Sequence, residues 1–251
     1  QIIGLLIFSV VAALVFIPVE NRAAEPVMPM YLFKNRNFLL TLGASLALGV
    51  AMFGAVEYIP TYLQMALGVS ATVAGLLMIP MMGVMLVVSI VTGRVVSKTG
   101  RYKSYVTTGT AIVALGLFLL STVNVETPTW LFCMYLAVMG AGLGMSMQFL
   151  TLIVQNAFPV SVVGTATASN NFFRQVGATV GASLVGGLFT SRLTSLISER
   201  MPQQALQSSG SHASSSLTPE LVASLPEPVH GIIVNAYNDA LIPLFLYLVP
   251  L

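Results

Sequence analysis

Two ionisable side chains stand inside otherwise apolar stretches of this sequence. Arg174 lies in NNFFRQVGATVGASLVGGLFT (170–190), and Glu57 closes FLLTLGASLALGVAMFGAVEY (38–58). Arginine stays charged in proteins, whereas a carboxylate can take up a proton. In lipid such a charge is costly and turns toward a cavity, a partner or the interface. Arg174 falls about six residues into a span expected at 168–190, roughly 9 Å along a helix. From there it either snorkels to the near interface or turns inward as a structural or gating residue. Glu57 is either a solvated end residue or a protonatable group at the mouth of a cavity. Tyr58, Gln64, Gln148, Asn170 and Asn171 are polar neighbours at possible inner faces. Met78, Met81, Met82 and Met85 surround Pro80 in MIPMMGVM, and methionine suits surfaces that meet varied apolar ligands as well as packing and lipid contact.

Catalytic chemistry has no such footing. No carboxylate pair, Ser/His/Asp set, metal-ligand spacing or phosphate-cradling loop occurs, so neither an enzyme nor a bound metal or cofactor is expected. His212 and His230 are distant from each other and lack Cys or Asp neighbours. The single cysteine, Cys133, sits in an apolar run and reads as a packing residue. A net charge of +2 gives no reason to expect a nucleic-acid partner.

The elements that must position these residues follow from composition. Apolar residues make up 56% of the chain and charged ones 7%, where soluble domains carry about a quarter charged. Mean hydropathy is +0.90. Seven stretches are long enough to cross a bilayer as helices: about 1–19, 37–58, 71–92, 105–123, 130–153, 168–190 and 232–251. They lack the alternation of barrel strands, and helices satisfy their own backbone groups in lipid. The expected fold is therefore an all-α polytopic membrane protein. Arg22, Lys34 and Arg36 in 20–36 and Arg94, Lys98, Arg101 and Lys103 in 93–104 place those two loops, with 154–167, in the cytoplasm. The outer side receives 59–70, 124–129 and the Ser-rich loop 191–231. The chain opens directly on an apolar run at Gln1 and closes on one at Leu251, and is read as part of a longer protein.

Small residues mark where helices meet. Gly43, Ala47, Ala51 and Ala55 recur every four residues, Gly140 and Gly144 form a GxxxG pair, and Gly177 and Gly181 form another, followed by Ala182 and Gly186. Pro60 is expected to end the second span, and Pro80 to kink the third.

The loop GRVVSKTGRYK (93–103) resembles the major facilitator superfamily motif G-x-x-x-D-R-x-G-R-x-K, with Gly93, Lys98, Gly100, Arg101 and Lys103 in register and Ser97 where the motif has aspartate. YIPTYLQMALGVSATVAGLLMIPMMG (58–83) and VGTATASNNFFRQVGATVGASLVGGLF (163–189) are similar to the fourteen-helix drug:proton antiporters of the EmrB/QacA type. The resemblance implies a C-terminal six-helix half at 37–251, an extra central helix at 1–19 and a cytoplasmic linker at 20–36. It also implies proton-coupled efflux of small amphipathic compounds by alternating access. The proton gradient would be the energy source and the site a plasma or inner membrane. One cavity wall would come from the helices at 37–58, 71–92 and 130–153, Arg174 would be a structural or gating residue on the cytoplasmic side, and a missing N-terminal half would carry most proton-coupling carboxylates. Export of a specific metabolite is the alternative on the same fold, and a seven-helix receptor or scaffold the non-transport alternative. A periplasmic adaptor and outer-membrane channel are partners by analogy alone.

Overall fold

The computed structural model describes residues 2–23, 26, 28–100, 102–200 and 229–251, and all regular structure among them is helical. Helix α1 spans Ile2–Arg22, and a short 3-10 turn at Met30–Lys34 leads into α2, Arg36–Val56. The chain continues through α3 (Ile59–Leu67), α4 (Ala71–Leu77), α5 (Ile79–Thr99), α6 (Lys103–Leu120), α7 (Thr129–Ala157), α8 (Val160–Arg200) and α9 (Val229–Leu248). Counting α2 with α3 and α4 with α5 as single rods, five rods are long and apolar enough to span a bilayer. The apolar helix at 104–120 is shorter, and α1 is a further apolar helix of 21 residues. The molecule is an all-α polytopic membrane protein.

Local chemistry explains the punctuation. Asn35 caps α2, its side chain accepting from Asn37 N at 2.9 Å and Phe38 N at 3.3 Å. Ser70 caps α4 in the same way, accepting from Val73 N. Gly68 and Gly100 end α3 and α5 with φ of 62° and 68°, a left-handed conformation that glycine takes without steric cost. The second glycine of the loop motif thus serves as a helix stop.

Several boundaries differ from those expected. Pro60 does not end the second span. It stands in the first turn of α3, where a missing N–H costs nothing, and the rod continues past Tyr58 to Leu67. Pro80 similarly opens α5, so the third rod is broken at Met78 rather than bent within one helix. The region 154–167 is not a loop: α7 runs to Ala157 and α8 starts at Val160. The sixth span is 41 residues long, and its last turns occupy 191–200, expected to be loop; 201–228 lie outside the described residues.

Packing rests on two parallel helix pairs. In the first, Gly177 and Gly181 of α8 lie against the backbone carbonyls of Leu46 and Val50 of α2, and Gly49 lies against the carbonyl of Arg174. A methyl group at any of these would collide with backbone. In the second, Gly140 and Gly144 of α7 lie in the same way on the carbonyls of Met81 and Met85 of α5. Both pairs advance four residues on each helix together, so the partners run parallel. Gly109 and Gly116 let α6 approach Ser146 and Met139 of α7 in the antiparallel sense. The seam of α2 is therefore Leu46, Gly49 and Val50. Gly43, expected in it, is exposed and has open space around it. A main core joins α2, α3, α6, α7, α8 and α9. A smaller one gathers Phe33, Phe38, Phe158 and Phe173 with Leu32 and Val154, its rings meeting edge to face at 5.3–6.0 Å.

Candidate functional site: a polar cleft between three helices

The register of the α5/α7 seam locates the site. Gly140 faces Met81 and Gly144 faces Met85. One further turn brings Gln148 opposite Ser89, whose hydroxyl donates to Gln148 Oε1 at 3.2 Å. One more turn carries the pairing toward Gly93 and the motif loop. Beside this seam stands α8, which contributes Asn171 and Arg174.

The resulting cleft has a volume of about 360 Å³. Ser89, Gln148, Thr151, Gln155 and Asn171 supply its polar lining, Met85, Met147 and Leu152 its apolar lining, and Arg174 its charge. A second, wider cleft of about 770 Å³ shares Ser89, Gln148 and Leu152 with it and reaches the loop motif at Gly93, Arg94, Ser97, Lys98 and Gly100. The two form one furrow from the motif loop to Arg174.

Arg174 is deeper than its expected span implied. Because α8 starts at Val160, Arg174 is about 14 residues in, roughly 21 Å along the axis rather than 9 Å. Its backbone carbonyl packs on Gly49, itself well inside the Arg36–Leu67 rod. That is too deep for the side chain to reach the near end of the rod. Its side chain has no ion pair or hydrogen bond to any described residue.

Of the residues singled out in the sequence, Gln148, Arg174 and Asn171 meet in this cleft, and Gly93, Lys98 and Gly100 line its extension. Gly177 and Gly181 hold α8 on α2 at the level that sets the position of Arg174. The others lie elsewhere. Glu57 is exposed, just past the end of α2. Tyr58 donates its hydroxyl to the Ala182 carbonyl at 2.8 Å and packs on Gly186. Gln64 donates to the Pro60 carbonyl of its own helix at 3.1 Å. Met78 is buried in the main core and Met82 is exposed two turns before Ser89, and neither is among the residues lining the cleft. Asn170 lies in the α2/α8 seam, where Ser45 donates to it. Arg101 is outside the described residues, and of Lys103 only the backbone, opening α6, is described. His230 lies in α9 and His212 outside the described residues.

Met85, one of the methionines after Pro80, does line the cleft, whereas sequence reasoning missed Ser89, Thr151, Gln155 and Met147. The signal was present for the first: Ser89 lies in register with Gln148 once Gly140 and Gly144 are set on α5. It also missed Arg192, a second cation inside α8, whose guanidinium carbon lies 5.9 Å from the ring centre of Tyr247. Arg192 was read as loop because α8 is longer than expected.

Residues 2–182 match the profile of the Major Facilitator Superfamily. The chain belongs to that superfamily. Its relatives include an uncharacterised MFS-type transporter of Mycobacterium tuberculosis, 39% identical over 245 residues, or 98% of this chain and 35% of the relative. The multidrug transporter protein MdtP of Bacillus subtilis is 36% identical over 201 residues, 80% of this chain and 37% of MdtP. A tetracycline resistance determinant of Streptomyces rimosus is 32% identical over 172 residues, 68% of this chain and 50% of the determinant. The chain thus spans about a third of the length of the first two. Members of this superfamily are transporters, not enzymes.

Proposed function

We propose that this chain is the C-terminal six-helix half, with α1 as an additional central helix, of a proton-coupled efflux transporter working by alternating access at a plasma membrane. The cleft between α5, α7 and α8 is its wall of the substrate cavity. The observation that carries the reading is the meeting of Gln148 and Arg174 there, well inside the apolar rods, in a chain with a named multidrug transporter among its relatives. The glycine seams support rocking: α2 with α8 and α5 with α7 are close-packed parallel pairs suited to moving as units against a second half. Gly93, Lys98 and Gly100 set the motif loop at the mouth of the cleft. Glu57 is the candidate proton-carrying carboxylate of this half, exposed beside Tyr58 at the junction of α2 and α3.

The test is export by the complete protein in inverted membrane vesicles energised by a pH gradient. Gradient-dependent accumulation of an amphipathic substrate supports the reading, and no accumulation across a panel of lipophilic cations, anions and neutral compounds refutes it. Glu57→Gln is expected to weaken the dependence on the pH gradient while leaving substrate binding in place.

A further inference from the structure

We infer that the furrow between α5, α7 and α8 selects amphiphiles that carry an anionic group, and that Arg174 is the residue that binds that group. The inference rests on the transporter reading and names the substrate class of the same cleft.

Three observations converge on it. Arg174 is a permanent cation held well inside the bundle, and among the described residues it has no carboxylate or other acceptor. Its side chain is half-buried and faces the cleft, and a carboxylate or sulfonate presented there to its planar fork gains paired, charge-assisted hydrogen bonds. Second, the furrow leading to it carries Arg94 and Lys98 and is lined by no Asp or Glu among the described residues. Its potential has one sign from the motif loop to Arg174, which draws anions inward and opposes lipophilic cations. Third, the rest of the inner lining divides between amides and hydroxyls, such as Gln148, Gln155, Asn171 and Ser89, and the adaptable apolar Met85 and Met147. An anionic head with an apolar body meets both halves of that lining.

The experiment uses the complete protein in inverted vesicles with two radiolabelled probes, taurocholate as the anionic amphiphile and tetraphenylphosphonium as the lipophilic cation. The expected result is preferred transport of taurocholate. Arg174→Gln should lower the ratio of taurocholate to tetraphenylphosphonium transport by about tenfold or more, a loss of about 1.4 kcal/mol in discrimination. Arg174→Lys should restore part of it. The double variant Arg94→Gln, Lys98→Gln changes exposed positions and spares the packed seams. It should reduce taurocholate transport more at low salt than at high salt, because steering by exposed charges is screened. Equal loss of both probes in Arg174→Gln would overturn the inference in favour of a gating role or a counter-charge from another segment. A wild-type preference for the cation would also overturn it. If neither probe is transported, the transporter reading fails on its own. Equilibrium binding of taurocholate to the purified protein then decides the inference: binding that is lost in Arg174→Gln upholds it, and no binding ends it.

Discussion

Ser45 and Asn170 are joined by a 2.7 Å hydrogen bond from the Ser45 hydroxyl to Asn170 Oδ1, between helices that meet nowhere near each other in sequence. Both side chains are almost fully buried. The bond lies on the α2/α8 seam a little before the Gly49, Gly177 and Gly181 contacts, and with them fixes the register in which α8 carries Arg174 into the cleft. Ser45→Ala is expected to leave the Asn170 carbonyl oxygen unpaired in an apolar seam. The interaction energy between the two, from a double-mutant cycle on detergent unfolding, should be about 0.6–1.7 kcal/mol, the range of interhelical bonds in membranes. A coupling indistinguishable from zero would show that the bond does not set the register.

Ser146 offers the opposite sign. Its hydroxyl is fully buried at the α6/α7 contact beside Gly109 and has no hydrogen-bond partner among the described residues. A buried hydroxyl that makes no bond keeps its desolvation cost without a return. Ser146→Ala should therefore raise the melting temperature, by a gain on the order of 1 kcal/mol. A fall in melting temperature would mean that the hydroxyl finds a partner in the complete protein.

The glycine seams give a positional test. Gly177→Ala drives a methyl group into the Leu46 carbonyl and forces α8 away from α2, whereas Gly43→Ala fills open space. Overpacking of this kind costs about 1–3 kcal/mol, so Gly177→Ala should lose transport and thermal stability while Gly43→Ala stays close to wild type. Flux per molecule at the membrane, with melting curves of both variants, checks this. Equal behaviour of the two would remove the seam from the account.

These contrasts show what the sequence carried. The long apolar runs and the paired glycines announced the rods and two of the seams, because burial in lipid and close backbone approach constrain composition directly. Gln148 and Arg174 were legible as polar groups in apolar runs. What the sequence did not carry was which face each helix turns inward. Gly43 has the four-residue spacing of a seam residue but meets open space, and of the methionines around Pro80 Met78 is buried in the core and Met82 exposed while Met85 lines the cleft. The depth of Arg174 was misjudged for a related reason. Polar residues such as Thr165 and Thr167 read as loop, but α8 absorbs them: Thr167 donates its hydroxyl to the Val163 carbonyl one turn back, at 2.7 Å.

The exposed ion pair between Arg200 and Asp239 joins α8 to α9 at 2.8 Å, with both side chains more than a third exposed. An exposed pair gains little over its hydrated ions. Asp239→Asn should change stability by less than about 1 kcal/mol. Tyr62→Phe should cost more, because it removes a buried 2.8 Å bond to Asn238 Oδ1 and leaves that oxygen unpaired in the core. Melting curves of the two variants side by side give the order, and the reverse order would place the hold on α9 at its surface rather than in its core.

Ser97 stands where the superfamily motif has aspartate, and its hydroxyl donates only to the Gly93 carbonyl of its own helix, at 2.9 Å. Ser97→Ala gives up a local bond on an exposed turn, and transport should be unchanged. Ser97→Asp is different. It sets a carboxylate one turn from Gly93, in the wall that also holds Arg94 and Lys98, and breaks the single sign of the furrow's charge. If the furrow guides anionic amphiphiles to Arg174, Ser97→Asp should slow taurocholate export at low ionic strength, and added salt should shrink the deficit as the new charge is screened. If the missing carboxylate acts mainly as a latch between halves, Ser97→Asp should instead change the export of taurocholate and tetraphenylphosphonium by the same factor at every salt concentration. The salt dependence of the two fluxes, measured on the same vesicles, separates a residue that tunes the field from one that holds a conformation.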